Sequence, residues 1–213
     1  MRINVGCGQS PTSGWRNFDN SISLRLSKIP YLVTILRKCK VLAQTQLQFA
    51  QFCRINNIEY GDPIKKLPLA DSSVEVFYSS HMIEHLDRID AEKFLKEARR
   101  VLCSGGIIRL AVPDLKKLVE EYEKSGDADC FLSSALLCQP KPRTIFQKIA
   151  MVLSGPRNHQ WMYDAQSLCR ILKEHGFENV EVQPPGQTTI ENPRPLNLRE
   201  REAESLYLEA RNP

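Results

Sequence analysis

The sequence predicts an α/β fold on a mostly parallel sheet of seven strands, the last of them antiparallel. Three observations carry this expectation. Short segments rich in β-branched and aromatic residues alternate with amphipathic helical segments. The run GIIRLAV, residues 106–112, is almost continuously apolar, as expected of a strand buried on both faces of a parallel sheet. The final strand segment follows a loop rich in proline (Pro184, Pro185, Pro193, Pro195), and a strand added without a crossover helix can run antiparallel.

The strands fall at 2–6 (RINVG), 16–19 (RNFD), 57–60 (NIEY), 74–79 (VEVFYS), 106–112, 178–183 (ENVEVQ) and 204–210 (ESLYLEA). The last two alternate with period two. A helix over 90–102 places Phe94, Leu95, Ala98, Val101 and Leu102 on one face, with Asp90 as its N-cap. A second over 114–124 has Asp114 as cap and Leu115, Leu118, Val119 and Tyr122 facing inward. A third starts at Asp164 and stops at Gly176, the C′ position. Two segments break the alternation. Residues 21–56 are a long basic and apolar insertion, read as helices around 32–40 and 43–54. Residues 126–160, with the run QPKPR, are the other. Both exceed ordinary loop lengths, which suits either a substrate wall or helices that only decorate the core. The chain reads as one domain over 1–213 carrying these two insertions.

Composition narrows the function. The chain has 213 residues, 42% hydrophobic and 25% charged, which suits a packed globular domain and not a disordered one. The net charge of +4 is too mild to imply a nucleic acid partner by itself. Seven cysteines, an odd number with none closer than five residues, exclude zinc knuckles and argue against a disulfide framework. Reduced thiols and the absence of a leader pattern fit a cytoplasmic protein. The longest candidate stretch, 29–42, is broken by Arg37, Lys38 and Lys40, so no membrane span is expected.

Four constellations carry chemistry. Gly6 and Gly8 in NVGCGQSP stand where the first strand ends, so a ligand can approach the backbone. A dinucleotide fingerprint needs a third glycine where Pro11 stands, which counts against a nicotinamide or flavin oxidoreductase. Asp19 follows the second strand, where two carboxylate oxygens match the two hydroxyls of a ribose, or cap a turn. Gly61-Asp62 ends the third strand, as a turn or as an acceptor for an exocyclic amine. The fourth strand empties into Ser79-Ser80-His81 at the edge where open α/β sheets bind ligands. His81 and His85 are four apart and on a helix would share a face, but Met82 stands where a zinc-protease motif has Glu, and no metal is assigned.

Taken in order, GCG, Asp19, Gly61-Asp62, LPLADSSVEVFYSSHMIEHL and RRVLCSGGIIRLAVPD resemble a class I S-adenosylmethionine-dependent methyltransferase of the methyltransferase type 11-like group, over most of residues 2–120. The tail ESLYLEARNP looks like the last hairpin of that fold. The resemblance implies a three-layer, Rossmann-like sandwich and S-adenosyl-L-methionine as cofactor. It implies that Gly6, Cys7 and Gly8 line the cofactor through their backbone, that Asp19 holds the ribose hydroxyls, and that Asp62, with Pro63 beside it, meets the adenine amine. Ser79, Ser80 and His81 would lie beside the sulfonium. Asn4 and Ser10 depart from the pattern, which keeps a non-catalytic, methyltransferase-like binding module as an alternative. About ten residues join the first two strands, so either the first helix is curtailed or Asp19 is not the ribose partner. With no helix before the first strand, the 21–56 insertion is the natural cover for the cofactor.

Methyl transfer to a hydroxyl needs a base, and His81, His85 and His159 are the candidates. His159 lies in NHQWMYD, where Trp161 and Tyr163 read as a stacking wall or as core. There is no Pro-Cys dipeptide and no Asn/Asp-Pro-Pro-aromatic run, which counts against DNA as acceptor. The basic run RKCK at 37–40 leaves room for RNA. A small molecule or saccharide acceptor, methylated on O or N, is the reading that remains, on a monomer or homodimer.

Overall fold

The computed structural model describes residues 1–21, 24, 25, 31, 44–138 and 158–213. The expected helix around 32–40 and the runs RKCK and QPKPR lie outside the described residues. Seven strands form one sheet: β1 (Arg2–Val5), β2 (Arg16–Asp19), β3 (Glu59–Tyr60), β4 (Val74–Ser80), β5 (Leu102–Pro113), β6 (Glu178–Gln183) and β7 (Ser205–Arg211). Their order is β3-β2-β1-β4-β5-β7-β6. The first five pair in parallel. β7 runs antiparallel to both β5 and β6. The described α-helices are α1 (Gln44–Ile55), α2 (Arg88–Val101), α3 (Leu115–Ser125), α4 (Ala128–Ser134) and α5 (Ala165–Glu174). None of the described helices is long and apolar enough to cross a membrane.

The main core forms where α2 and α5 lie on the sheet. Phe94, Leu95, Ala98 and Val101 of α2 meet Phe77, Ile108 and Leu110, and Leu168, Ile171 and Leu172 of α5 complete it. The N-cap of α2 is Asp87, whose side chain accepts from the Asp90 amide. Asp90 was the sequence expectation, but it lies in the first turn, where its carboxylate takes Lys93 at 2.8 Å. Asp114 and Asp164 cap α3 and α5 as expected, the latter in a reciprocal box with Ser167. The inward face expected of α3 is not buried: Val119 and Tyr122 are exposed, and Tyr122 meets Phe131 of α4 in a tilted ring contact with centroids 5.4 Å apart.

The opposite face carries no described helix over β4 and β5. There Val76, Tyr78 and Ile107 are covered by Ile190, Leu196 and Leu198 of the long 184–204 loop and by Trp15. A buried ion pair clamps this loop. Arg109 of β5 meets Glu209 of β7 at 2.5 Å and donates to the Gln187 carbonyl. Glu209 accepts from the Thr189 amide and from the hydroxyls of Thr188 and Thr189. The period-two pattern of β7 therefore does not mean one exposed face: Ser205 through Ala210 are all buried.

β1 and β2 are joined by residues 6–15 with no helix at all. Two buried asparagines build the connection. Asn4 donates to the Ser10 carbonyl and Thr12 Oγ1, and Asn17 accepts from the Thr12 amide while donating to the carbonyls of Thr12 and Trp15. Asn4, which departs from the family pattern, is thus the post on which the short crossover hangs.

Candidate functional site

The residues read as cofactor-binding lie where β1, β2, β3 and β4 end, and His85 and His159 come from the turn after β4 and the loop before α5. At the β1 end the chain turns back toward β2. The amides of Gly6 and Cys7 both donate to the Phe18 carbonyl, at 2.8 and 3.1 Å, so neither faces a ligand. The Gly8 amide donates to Asp19 Oδ2 at 3.2 Å. The two glycines serve different ends. A Cβ on Gly6 would lie 2.5 Å from Cγ of Met82, so Gly6 makes room for the segment after β4. A Cβ on Gly8 would meet nothing within 4 Å, so Gly8 borders open space. Both have positive φ, +71° and +49°, which glycine adopts without strain.

Asp19 is buried at the end of β2. Its Oδ1 accepts from the Ser21 amide at 2.8 Å and its Oδ2 from Gly8. A carboxylate offers about four acceptor positions, so each oxygen retains one for a further donor. Beneath it Cys7 packs on Cys53 of α1, with Phe49 and Phe52 alongside. Burial, reinforced by the Asp19 charge, raises the Cys53 thiol to about 11 and pushes Cys7 higher still. Neither is a nucleophile at neutral pH. Asp62 shapes a turn: its Oδ1 accepts from the Ile64 amide at 3.4 Å and its Oδ2 pairs with Lys65 at 3.2 Å. Pro63 is buried beside it.

At the β4 end Ser79 donates its hydroxyl to the Val5 carbonyl at 2.8 Å, tying β4 to β1. Ser80 is half-buried. His81 continues the ladder, its amide donating to Ala111 O, but with φ +49°. A non-glycine residue held left-handed stores about 1–2 kcal/mol, a cost found at functional corners. Its Nε2 lies 2.9 Å from Ser205 Oγ. Ser205 gives its own proton to the Glu200 carbonyl, so Nε2 is the protonated nitrogen and Nδ1 carries the lone pair. That Nδ1 is 3.4 Å from Glu84 Oε1 and 3.4 Å from Arg201 Nη1.

His81 and His85, which would share a face on a helix, do not lie on one. A short 3-10 turn, Ile83–His85, starts after the left-handed corner at His81. His85 packs instead on His159, with ring centroids 5.0 Å apart. The loop bearing His159 docks through its backbone: the amides of Gln160 and Trp161 both donate to the Glu84 carbonyl, and the His159 amide to Leu136 O. Burial lowers the His159 pKa, against the opposing pull of the Glu84 charge. Tyr163 is core, while Trp161 is exposed with Arg88 5.1 Å over its ring. Sequence reasoning missed Glu84, which is fully buried among these histidines. Its signal was the spacing His81-x-x-Glu84-His85.

His81 and His159 also line a cavity of about 290 Å³ at the ends of β4 and β5. Lys117 and Glu121 of α3, with Arg201 and Glu204 from the turn before β7, supply its polar wall. Lys117 Nζ donates to the carbonyls of Glu202 and Ser205, so the wall is braced.

A family model described as "Methyltransferase domain" matches residues 3–110. No curated protein matches the chain. Among solved structures, a Thermotoga maritima protein described as "SAM-dependent methyltransferase, possible histamine N-methyltransferase" superposes with a TM-score of 0.53 at 17% identity, covering 100% of this chain and 82% of that one. A SAM-dependent methyltransferase of Methanosarcina mazei gives 0.53 at 13% identity, over 99% and 91%. These likenesses fix the fold and the family match covers the edge that carries Gly8, Asp19 and His81. The chain therefore belongs to the methyltransferase domain family, as a class I S-adenosylmethionine-dependent methyltransferase.

Proposed function

We propose that the chain binds S-adenosyl-L-methionine over Gly8 and Asp19 and transfers its methyl group to an oxygen or nitrogen of a polar small molecule or saccharide. One observation carries this reading. The open edge at Gly8–Asp19 and the polar cavity at His81–His159 meet at one short segment, since Gly6 abuts Met82 and the next residue back, His81, lines the cavity. Donor and acceptor would face each other across it.

The residues fit the cofactor. Asp19 retains one acceptor position on each oxygen for two ribose hydroxyls, and the Gly8 Cα borders space that any side chain would fill. Gly6 and Cys7 contribute shape and not donors. Asp62 and Pro63 would sit at the adenine end. When bound, the cofactor supplies an electrophilic methyl group on a sulfonium. The chain holds the acceptor, excludes water and takes up its proton. For a hydroxyl acceptor His81 is the base: a proton arriving at Nδ1 forms an imidazolium 3.4 Å from the Glu84 carboxylate. His85 and His159 stand behind it. The charged wall of Lys117, Glu121, Arg201 and Glu204 suits a hydroxyl-rich or zwitterionic acceptor and not an apolar one.

A thermal-shift series with S-adenosylmethionine, S-adenosylhomocysteine and NAD tests the cofactor. A ligand at 100 times its Kd should stabilise by ~2.7 kcal/mol, and a shift with NAD alone would overturn the reading. Transfer of tritiated methyl groups into sugar, amine and RNA pools then identifies the acceptor class. With a hydroxyl acceptor, His81→Ala should lower kcat by ~10²–10⁴ with cofactor affinity kept.

A further inference from the structure

The geometry points to a metal site: we propose that Glu84, His85 and His159 bind one divalent first-row transition-metal ion, with zinc as the best chemical match, at the inner wall of the acceptor cavity. Glu84 has no exposed surface, and neither of its carboxylate oxygens has a hydrogen-bond partner among the described residues. The nearest nitrogens are His81 Nδ1 at 3.4 Å and His159 Nε2 at 4.0 Å. An ionised carboxylate buried without donors costs several kcal/mol, so its charge calls for a cation.

The three side chains converge as ligands do. One ligand atom from each lies within 4.8 Å of the other two. An ion central to a triangle of that side sits about 2.8 Å (4.8/√3) from each corner. Shifts of about 0.6–0.8 Å at each ligand bring this to the ~2.0–2.2 Å of zinc bonds. The tautomers are set for it. His85 Nδ1 lies 3.2 Å from the Asn158 carbonyl, which can only accept, so Nδ1 carries the proton and Nε2 the lone pair. A ligating histidine characteristically donates its other N–H to a carbonyl in this way. His159 turns Nδ1 to the Met162 sulfur at 3.2 Å and Nε2 toward Glu84. Two imidazoles and one carboxylate form a set that keeps a coordination position open on zinc, whereas magnesium and calcium prefer all-oxygen sites. His81 stays outside the set, because its Nε2 donates to Ser205 and its Nδ1 is the atom left for the acceptor's proton.

His159 lines the cavity, so the open position would face it. Resting on the methyl-transfer reading, the ion would bind an acceptor oxygen and make its hydroxyl more acidic. His81, on the same wall, would take the proton.

The test uses the full-length protein, freed of metal with a chelator that is then removed, and titrated with Co²⁺ and separately with Zn²⁺. Visible d–d absorption and calorimetry report binding, and the thermal shift with S-adenosylhomocysteine is measured in parallel. One equivalent should bind, with Glu84→Gln and His159→Gln each weakening it by at least ~100-fold, the upper end of what outer-shell changes alone produce. Both variants should retain the S-adenosylhomocysteine shift, which shows that they fold. No cobalt band and no zinc heat with the parent protein would overturn the site. Binding that survives both substitutions unchanged would overturn it as well, placing the ion on cysteines. Loss of the S-adenosylhomocysteine shift in a metal-binding parent protein would instead strike the methyl-transfer reading and leave the metal site standing.

Discussion

Glu209→Ala should destabilise the fold severely, although the residue is charged and lies in the last strand. The carboxylate meets Arg109 at 2.5 Å, and the Thr189 amide and hydroxyl at 2.7 Å each. Arg109 is completely buried, so removing Glu209 leaves a guanidinium facing the carbonyls of Gln187 and Leu198 and the ring of Tyr207. Breaking a buried pair from one side costs about 3–5 kcal/mol. The Thr189 amide also loses its acceptor, about 1–3 kcal/mol more unless the loop moves to water. That movement offsets part of the loss, so about 3–5 kcal/mol is the expected total. Urea unfolding followed by tryptophan fluorescence measures it as a fall in midpoint at constant slope. The double variant Arg109→Met/Glu209→Leu should recover more than half of the loss, because no unpaired charge is left. A loss below about 1 kcal/mol for Glu209→Ala, or a double variant weaker than the single, would refute the clamp.

Other outcomes follow from the same geometry. Asp19→Ala should weaken S-adenosylhomocysteine binding by roughly 1.5–3 kcal/mol, read by calorimetry, with the fold retained; unchanged affinity would move the ribose site elsewhere. At pH 8 iodoacetamide should label the exposed Cys130 and Cys138 quickly and Cys7 and Cys53 only on unfolding, as mass spectrometry of peptides would show. Burial alone would raise the Glu209 carboxyl, but the donors from Thr188, Thr189 and Arg109 prevail and its pKa is lowered. Its stabilising contribution is therefore present above the unfolded value of ~4.3 and lost as pH falls through the folded one. Urea midpoints should accordingly hold from pH 7 to about 5 and drop below that, with a shallower acid slope in Glu209→Gln.

The positions of all seven strands and the caps at Asp114 and Asp164 were legible because they depend on local chemistry. What was not legible depends on partners far along the chain. Glu209 reads as the solvent side of an alternating strand, yet it faces an arginine 100 residues earlier in sequence. Glu84 reads as a solvated charge between two histidines, and it is buried because the 158–161 loop closes on its backbone carbonyl. Val119 and Tyr122 show that an amphipathic pattern states which face is apolar, not whether a partner covers it. The site followed the same division. Gly8 and Asp19, read from the sequence as two separate constellations, are joined by one hydrogen bond. Gly6, taken as a place for a ligand, is small because Met82 needs the room.

The place of β7 in the sheet also sets an order of assembly. Among the described strands β6 pairs only with β7, and β7 is also the partner of β5 on that side. As the chain leaves the ribosome, β6 emerges about two dozen residues before the strand that must lie between it and the sheet. Until residues 205–211 arrive, the outer edge of β5 has no neighbour and β6 has nowhere to dock. Both are then open templates for another chain. The parallel half can form early, from β1 to β5, but closure of the other half waits on a single seven-residue strand. Slow synthesis or proteolytic loss of that strand would expose two edges at once.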